Sequence, residues 1–201
     1  MIICEQPRLI FLAVPRTAST AITRSIEKAF PDCEKFGQHR MQIPGHYSQD
    51  RYFVFAGARN PYARVVSHYL HRFRTHPLSV GLWTFTEYVQ NMVRNRLRWW
   101  GLSGDPPAVK WVQGTGCTHF IRYEQLEVDW AALPAWQELE SVPRLVKANA
   151  NPEKYDWRHF YTQDLARKVY DHQQADFDFF GYEKASWRPA FARQQEHRPV
   201  A

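Results

Sequence analysis

Long hydrophobic runs are missing from this 201-residue chain. Its longest apolar stretch, Leu9 to Pro15, is far too short to cross a membrane, and the arginine that follows it is untypical of a secretory leader. The sequence therefore predicts a protein without a membrane span, and we expect it in the cytoplasm.

Cysteine is scarce as well. Cys4, Cys33 and Cys117 are widely spaced and include no CxxC pair. An odd count at this spacing argues against a disulfide framework and a zinc site, and it favours a reducing compartment. Because no HExxH motif or comparable histidine cluster is present, we also expect no metal.

Glycine does not occur between Met1 and Gly37, and the sequence contains neither GxGxxG nor GxxxxGK[ST]. These motifs carry the phosphate-binding turns of the Rossmann and Walker-type nucleotide folds. Their absence weakens both assignments. Internal repeats and low-complexity tracts are missing too.

What remains is the composition of a globular domain, with 44% hydrophobic and 23% charged residues. The formal net charge of +6 favours an anionic partner: a nucleic acid, a nucleotide, an acidic sugar or a membrane surface. The basic residues are spread along the chain and no nucleic-acid-binding motif appears. We therefore expect no nucleic-acid partner, and a basic nucleic-acid-binding protein is kept as the alternative.

The order of predicted elements is typical of an α/β domain. An apolar strand over Arg8–Val14 leads through a short loop to helical spacing from Ser19. A second strand, Tyr52–Ala58, leads through Asn60-Pro61 to a strongly amphipathic helix. Further predictions are a helix over 84–97 with a capping box, a third strand over 117–123 and a last helix over 162–175. We expect one domain over residues 1–183 and a polar tail over 184–201.

The loop Pro15–Thr20 lies between a predicted strand and a predicted helix. Backbone N–H groups at such a place face outward at the positive end of the helix dipole and form an anion cradle. Thr17, Ser19 and Thr20 add hydroxyl donors, and Arg16 adds a permanent positive charge. A plain N-cap cluster with a solvent-exposed arginine explains the same residues.

Arg59 follows the second strand, and Ser67 lies two turns into the next helix. Because ligands of open parallel sheets bind outside the carboxyl ends of the strands, both residues are expected to face the same crevice as the first loop. Together they suit a second phosphate. Taken singly, Arg59 is explained by a surface ion pair and Ser67 by a helix hydroxyl facing water.

These two segments, LAVPRTAST and FAGARNPYARVVSHY, resemble the sulfotransferases that use 3′-phosphoadenosine 5′-phosphosulfate, above all the carbohydrate-type branch and its bacterial and viral relatives. FIRYEQL and DFDFFGY are similar to later landmarks of that family. The resemblance implies a single-domain α/β fold in which helices flank a mostly parallel sheet around a P-loop-like nucleotide site. It implies a sulfuryl transfer to a hydroxyl acceptor, with a carbohydrate or glycoconjugate expected.

In such a protein the first loop holds the 5′-phosphosulfate, which implies cofactor-binding roles for Arg16, Thr17, Ala18, Ser19 and Thr20. Arg59 and Ser67 are then expected to hold the 3′-phosphate, with Arg64 as the internal arginine of the motif. One departure is Arg16, since the family usually has lysine there, and this leaves its catalytic role open. A catalytically inactive relative is the other alternative.

The acceptor hydroxyl needs a general base, and histidine has a suitable pKa. His39, followed by Ile43-Pro44 and Tyr47, fits the order seen in related sequences better than His46, so we predict His39. His46 and an acidic residue remain alternatives. Two further groups allow either a functional or a structural interpretation. Tyr155 and Arg158 either complete the cofactor or acceptor site or belong to a structural loop. The second group either binds the acceptor or is a solvated basic helix end, and it consists of Arg94, Arg96, Arg98, Trp99 and Trp100.

Overall fold

The computed structural model describes residues 1–37, 42–47, 49–75, 83–99, 102–103, 105–148 and 156–188. The chain divides into two compact units that alternate along the sequence. The first consists of Met1–Arg59 and Ala108–Glu153, and the second of Asn60–Pro107 and Lys154–Ala201. Within the described residues, no helix is long and apolar enough to span a bilayer.

Five strands belong to the first unit: β1 (Ile2–Glu5), β2 (Arg8–Leu12), β3 (Glu34–Lys35), β4 (Phe53–Ala58) and β7 (His119–Arg122). They form one sheet in the order β3-β1-β2-β4-β7. β2, β4 and β7 pair in parallel, whereas β1 pairs antiparallel with both β2 and β3. The sheet is therefore mixed, and the prediction of a mostly parallel sheet is not confirmed; its parallel part is β2, β4 and β7.

Two helices of the first unit are α1 (Ser19–Ala29) and the short α4 (Leu126–Ala131). Ile22 and Ile26 of α1 pack with Phe11 and Phe55 of the sheet in one buried core, to which Trp130 of α4 also belongs. The apolar positions of α1 recur every three to four residues, and burial of that stripe against the sheet accounts for the helix.

A disulfide joins Cys4 of β1 to Cys33. It continues the register of the β1–β3 pair, in which Ile3 lies opposite Glu34. The sequence argued against a disulfide framework, and this single bridge was not among its predictions. The cause is the N-terminal hairpin, which was not predicted and which brings the two cysteines face to face.

The second unit is helical: α2 (Pro61–Thr75), α3 (Phe85–Val93) and α5 (Gln163–Phe180), with the small antiparallel pair β5 (Arg98–Trp99) and β6 (Leu102–Ser103). α2, α3 and α5 share a core that includes Tyr62, Tyr88 and Phe177. The capping box at Thr84 and Glu87 is present as predicted. α5 extends beyond the predicted end and stops at Gly181, whose φ of 70° closes the helix.

The segment predicted as a polar tail begins with a packed turn. Lys184–Trp187 forms a short 3-10 helix within the second unit. The Lys184 carbonyl accepts a hydrogen bond from the Tyr62 hydroxyl at 2.8 Å, and the Ser186 hydroxyl accepts one from Asn60 Nδ2 at 2.9 Å. These residues therefore belong to the packed part of the chain, while the domain boundary at 183 stays a prediction.

Candidate functional site

Three parallel strands of the first unit end at the same edge of the sheet. Leu12 of β2 pairs with Ala56 of β4, and Ala58 pairs with Arg122 of β7. The segments that follow these strands thus begin side by side. Ligands of open α/β sheets bind at this edge, so the residues here form the candidate site.

The loop after β2 has an unusual backbone. Arg16 and Ala18 both have positive φ, 66° and 65° respectively. Residues other than glycine rarely adopt this left-handed region, because each such residue costs roughly 1–3 kcal/mol and persists only where its surroundings enforce it. One enforcing contact is internal, because the Thr17 hydroxyl donates to the Val14 carbonyl at 2.9 Å.

The loop delivers the chain to the N-terminus of α1 without a side-chain cap. Ala18 occupies the N-cap position, where no side-chain hydrogen bond is made, and the first turn contains no acidic residue. Alanine is a poor N-cap because it offers no oxygen to the N–H groups of the first turn. Those N–H groups and the positive end of the helix dipole are suited to bind an anion.

Arg59, the residue after β4, reaches the same loop. Its Nη1 donates to the Arg16 carbonyl oxygen at 3.3 Å. Its guanidinium also lies over the ring of Tyr123, with Cζ 3.9 Å from the ring centroid. The structure therefore brings Arg16 and Arg59 together, as the sequence predicts, and adds Tyr123, to which the sequence patterns assign no individual role.

Thr17 lies between the loop and the strand behind it. Its side chain is buried, and a Cβ built on Gly57 would come within 2.6 Å of the Thr17 carbonyl oxygen. Only glycine in β4 allows the loop to lie this close. Since the Thr17 hydroxyl is used inside the loop, the backbone of Thr17 and the hydroxyls of Ser19 and Thr20 remain as donors for a ligand.

Ser67 and Arg64 lie on α2 in the second unit. Asn60 caps this helix, its Oδ1 accepting from the Tyr62 and Ala63 N–H groups at 3.1 and 3.4 Å. Ser67 is buried rather than facing water. The interpretation of Ser67 as a helix hydroxyl facing water is therefore wrong.

Arg64 is completely buried at the centre of a polar cluster. Its Nη2 donates to the Pro106 carbonyl at 2.7 Å, to Gln173 Oε1 at 3.0 Å and to Asp176 Oδ2 at 3.3 Å. A buried guanidinium requires partners of this kind because an uncompensated charge is costly to desolvate. The internal arginine of the motif therefore connects α2 to α5 and to the loop at Pro106 within the second unit.

Asp105 is the second charged centre of this cluster. His68 Nε2 lies 3.2 Å from Asp105 Oδ1 and 3.2 Å from Arg64 Nη1, and the Tyr88 hydroxyl donates to Asp105 Oδ2 at 3.1 Å. Burial raises the pKa of Asp105 to about 6, against the opposing effect of the nearby arginines. No periodicity signals this cluster, because its members come from α2, α3, α5 and a loop.

The predicted base, His39, lies outside the described residues. The alternative His46 is exposed, and its ring centroid is 4.3 Å from that of Tyr47, which in turn is 5.6 Å from that of Tyr52. Tyr52 precedes β4, whereas Arg59 follows it, and six strand residues span about 20 Å. His46 thus lies near the edge of the sheet opposite the candidate site, which argues against it as the base.

The remaining candidates are Tyr155 with Arg158 and the basic aromatic segment 94–100. Tyr155 and Trp100 lie outside the described residues, and only the backbone of Arg98 and Trp99 is described. Arg94 and Arg96 are exposed. Arg158 pairs with Asp156 at 3.1 Å and lies over the ring of Trp157, so its structural interpretation is the better supported one.

Comparison with known proteins identifies a family for this chain. A family model described as the sulfotransferase family matches residues 1–183. The chain belongs to the sulfotransferase family. No curated protein and no solved structure matches it significantly.

Proposed function

We propose that this sulfotransferase transfers a sulfuryl group from 3′-phosphoadenosine 5′-phosphosulfate to a hydroxyl acceptor, with a carbohydrate or glycoconjugate as the acceptor class. One observation carries the proposal: the hydrogen bond from Arg59 to the Arg16 carbonyl joins two guanidinium-bearing segments beside the uncapped N-terminus of α1. Such a P-loop-like arrangement suits a ligand with two separated phosphate groups.

The proposed roles divide between the two motifs. The backbone N–H groups of residues 17–20, with the hydroxyls of Ser19 and Thr20, bind the 5′-phosphosulfate. Arg59 binds the 3′-phosphate, and Ser67 is assigned to the same phosphate from its place in the motif alone. A nucleotide bisphosphate derivative fits the charge of this set, since its residues are cationic or neutral donors.

Bound in this way, the donor supplies an activated sulfur–oxygen bond. The acceptor oxygen forms a new S–O bond in line with the bond that breaks, and the leaving phosphate takes the electron pair. Arg16 and the loop N–H groups stabilise the charge that develops on the sulfuryl and phosphate oxygens. As in phosphoryl transfer, positioning and charge stabilisation account for most of the catalysis.

His39 is proposed as the general base that accepts the proton of the acceptor hydroxyl. This assignment rests on its place in the sequence and on the distance of His46 from the candidate site. The variant His39→Ala is expected to lower kcat by roughly 100- to 10,000-fold while nucleotide binding is retained. Full activity in this variant would exclude His39 as the base.

The cofactor assignment is tested by calorimetric titration with 3′-phosphoadenosine 5′-phosphate. Arg59→Ala is expected to weaken binding roughly 10- to 100-fold, since a charge-assisted hydrogen bond is lost, and Ser67→Ala to weaken it less. Arg51→Ala is the matched control, because Arg51 is an exposed arginine before the same strand. If the folded wild type fails to bind, or if Arg51→Ala and Arg59→Ala bind equally well, the proposal is wrong.

An inactive relative would bind the nucleotide and transfer nothing. The distinction is made by incubating the protein with the sulfuryl donor and a panel of sugars, glycoconjugates and phenols, and measuring the release of 3′-phosphoadenosine 5′-phosphate. Acceptor-dependent release supports the enzyme. Binding without release from any acceptor supports the inactive relative.

A further inference from the structure

Arg59 and Tyr123 directly follow the last paired residues of two neighbouring parallel strands, β4 and β7. Ala58 of β4 pairs with Arg122 of β7, so the next residue on each chain segment is Arg59 and Tyr123 respectively. Residues opposite one another on adjacent strands point to the same face of the sheet. The guanidinium and the ring therefore meet, with 3.9 Å between Cζ and the ring centroid.

The Tyr123 ring is not part of a buried core, since 41% of its surface is exposed. An exposed aromatic residue at the start of a 3-10 turn contributes little to packing, so its contact with Arg59 is its main described interaction. A cation over a ring at this distance is attracted by the negative face of the π system.

Arg59 is held in two directions. The ring of Tyr123 lies against the face of its guanidinium, and the Arg16 carbonyl accepts from its Nη1. An arginine side chain otherwise gives up considerable rotamer freedom when it binds a phosphate. Holding the guanidinium before the ligand arrives reduces that loss and so raises affinity.

We infer that Tyr123 is a positioning residue for Arg59, fixing the guanidinium where it receives a 3′-phosphate; this rests on the proposed function. Tyr123 acts through the face of its ring, and its hydroxyl is not needed. The inference separates Tyr123 from residues that touch the nucleotide, because its whole effect passes through Arg59.

Two nucleotides isolate this effect: 3′-phosphoadenosine 5′-phosphate, and adenosine 5′-phosphate, which lacks the 3′-phosphate. Tyr123→Leu is expected to weaken the binding of 3′-phosphoadenosine 5′-phosphate roughly fivefold and to leave the affinity for adenosine 5′-phosphate unchanged. Tyr123→Phe keeps the ring and is expected to restore wild-type affinity. In an Arg59→Ala background, Tyr123→Leu is expected to have no further effect, since the residue through which it acts is gone.

Tyr52→Leu is the matched control, because Tyr52 is a partly exposed tyrosine at the other end of β4. It is expected to change the affinity for neither nucleotide. A measurement without nucleotide completes the design: the ring of Tyr123 should shift the Arg59 Nε–H resonance upfield, and the shift should vanish in Tyr123→Leu and persist in Tyr123→Phe.

The outcomes separate this inference from the proposed function. Any of four results overturns the role of Tyr123. In the first two, Tyr123→Leu weakens the binding of both nucleotides equally, or its effect adds to that of Arg59→Ala. In the other two, Tyr123→Phe behaves like Tyr123→Leu, or the upfield shift of the Arg59 Nε–H resonance is missing. If the Arg59 shift is present but wild type does not bind 3′-phosphoadenosine 5′-phosphate, the proposed function fails, and the phosphate role of Tyr123 fails with it.

Discussion

Thr17 fills the space in front of Gly57 that a side chain at position 57 would need. A Cβ added there would lie 2.6 Å from the Thr17 carbonyl oxygen and closer still to the Thr17 hydroxyl. Because part of the obstruction is backbone, a rotamer change at Thr17 cannot relieve it. The loop after β2 and the strand β4 therefore fix each other's position.

We accordingly expect Gly57→Ala to lower the free energy of unfolding by about 1–3 kcal/mol, the usual cost of overpacking, and to weaken nucleotide binding by displacing the loop. Urea denaturation and calorimetric titration measure the two effects. Gly45→Ala is the control, since an added Cβ there meets nothing within 4 Å. Equal behaviour of the two variants would mean that the loop does not depend on this contact.

Replacing Ala18 with glycine is expected to cost less stability than replacing an alanine inside a helix. Its φ of 65° costs about 1–2 kcal/mol for an L-residue, whereas glycine adopts it freely but loses more entropy on folding. Ala18→Gly should therefore leave the free energy of unfolding unchanged or raise it by up to about 1 kcal/mol. Ala175→Gly, at an exposed position inside α5, should lower it by about 1 kcal/mol. If Ala18→Gly lowered the free energy of unfolding as much as Ala175→Gly does, backbone strain at Ala18 would be contradicted.

The Arg16 carbonyl accepts a hydrogen bond from Arg59, and the Arg16 guanidinium has the proposed role of stabilising the transition state. Substitution of the side chain separates the two. The carbonyl that accepts from Arg59 survives in Arg16→Ala, while the guanidinium is lost. We expect kcat to fall by roughly 100- to 1000-fold, as for removal of a transition-state donor, with a much smaller change in the Kd of 3′-phosphoadenosine 5′-phosphate. Arg16→Lys should stay within about tenfold of wild-type kcat. A Kd change as large as the kcat change would assign Arg16 to ground-state binding instead.

The buried carboxyl of Asp105 predicts a pH dependence of stability. Its pKa is raised to about 6 in the folded protein, mainly by desolvation, so the folded state binds this proton more tightly than the unfolded state does. The free energy of unfolding therefore falls as pH rises from about 4 to above 6, by up to about 3 kcal/mol. Asp105→Asn removes this dependence. Urea denaturation of wild type and Asp105→Asn between pH 4 and 8 measures the difference between their free energies of unfolding. If wild type instead becomes more stable relative to the variant as pH rises, the pKa of Asp105 is lowered in the folded protein.

The Cys4–Cys33 bridge closes a loop of about thirty residues, for which chain entropy predicts roughly 3–4 kcal/mol of stabilisation. Dithiothreitol is thus expected to lower the Tm of wild type and to leave that of Cys33→Ser unchanged. Cys117→Ser should respond to the reductant like wild type. Burial raises the pKa of the Cys117 thiol to about 12, so this cysteine should react slowly with thiol reagents at neutral pH. A reductant-insensitive wild type would contradict the bridge.

Local sequence patterns were sufficient for the elements that carry the site. α1 begins at Ser19 and α2 at Pro61 as predicted, because the helical periodicity and the Asn60 cap act within a few residues of chain. The proximity of Arg16 and Arg59 could also be predicted, because the carboxyl ends of parallel strands lie at the same edge of the sheet. The N-terminal hairpin was missed, because nothing in a four-residue apolar segment indicates which strand it will join.

The position of Arg64 could not be predicted from the same pattern. A helical periodicity assigns a charged residue to the solvent face, and here the partners that make burial possible come from distant parts of the chain: Asp105, Pro106, Gln173 and Asp176. The contact of Tyr123 with Arg59 could not be predicted for a related reason. Its contact depends on the register of β4 against β7, which sequence alone does not specify.

The alternation of the two units along the chain bears on how the protein is synthesised. β4 is complete when Ala58 leaves the ribosome, yet its parallel neighbour β7 begins only at His119. Until then one edge of the nascent sheet offers unpaired N–H and C=O groups, which is the kind of edge that invites aggregation. Since Tyr123 is made after this interval, Arg59 is translated long before the ring that will hold it.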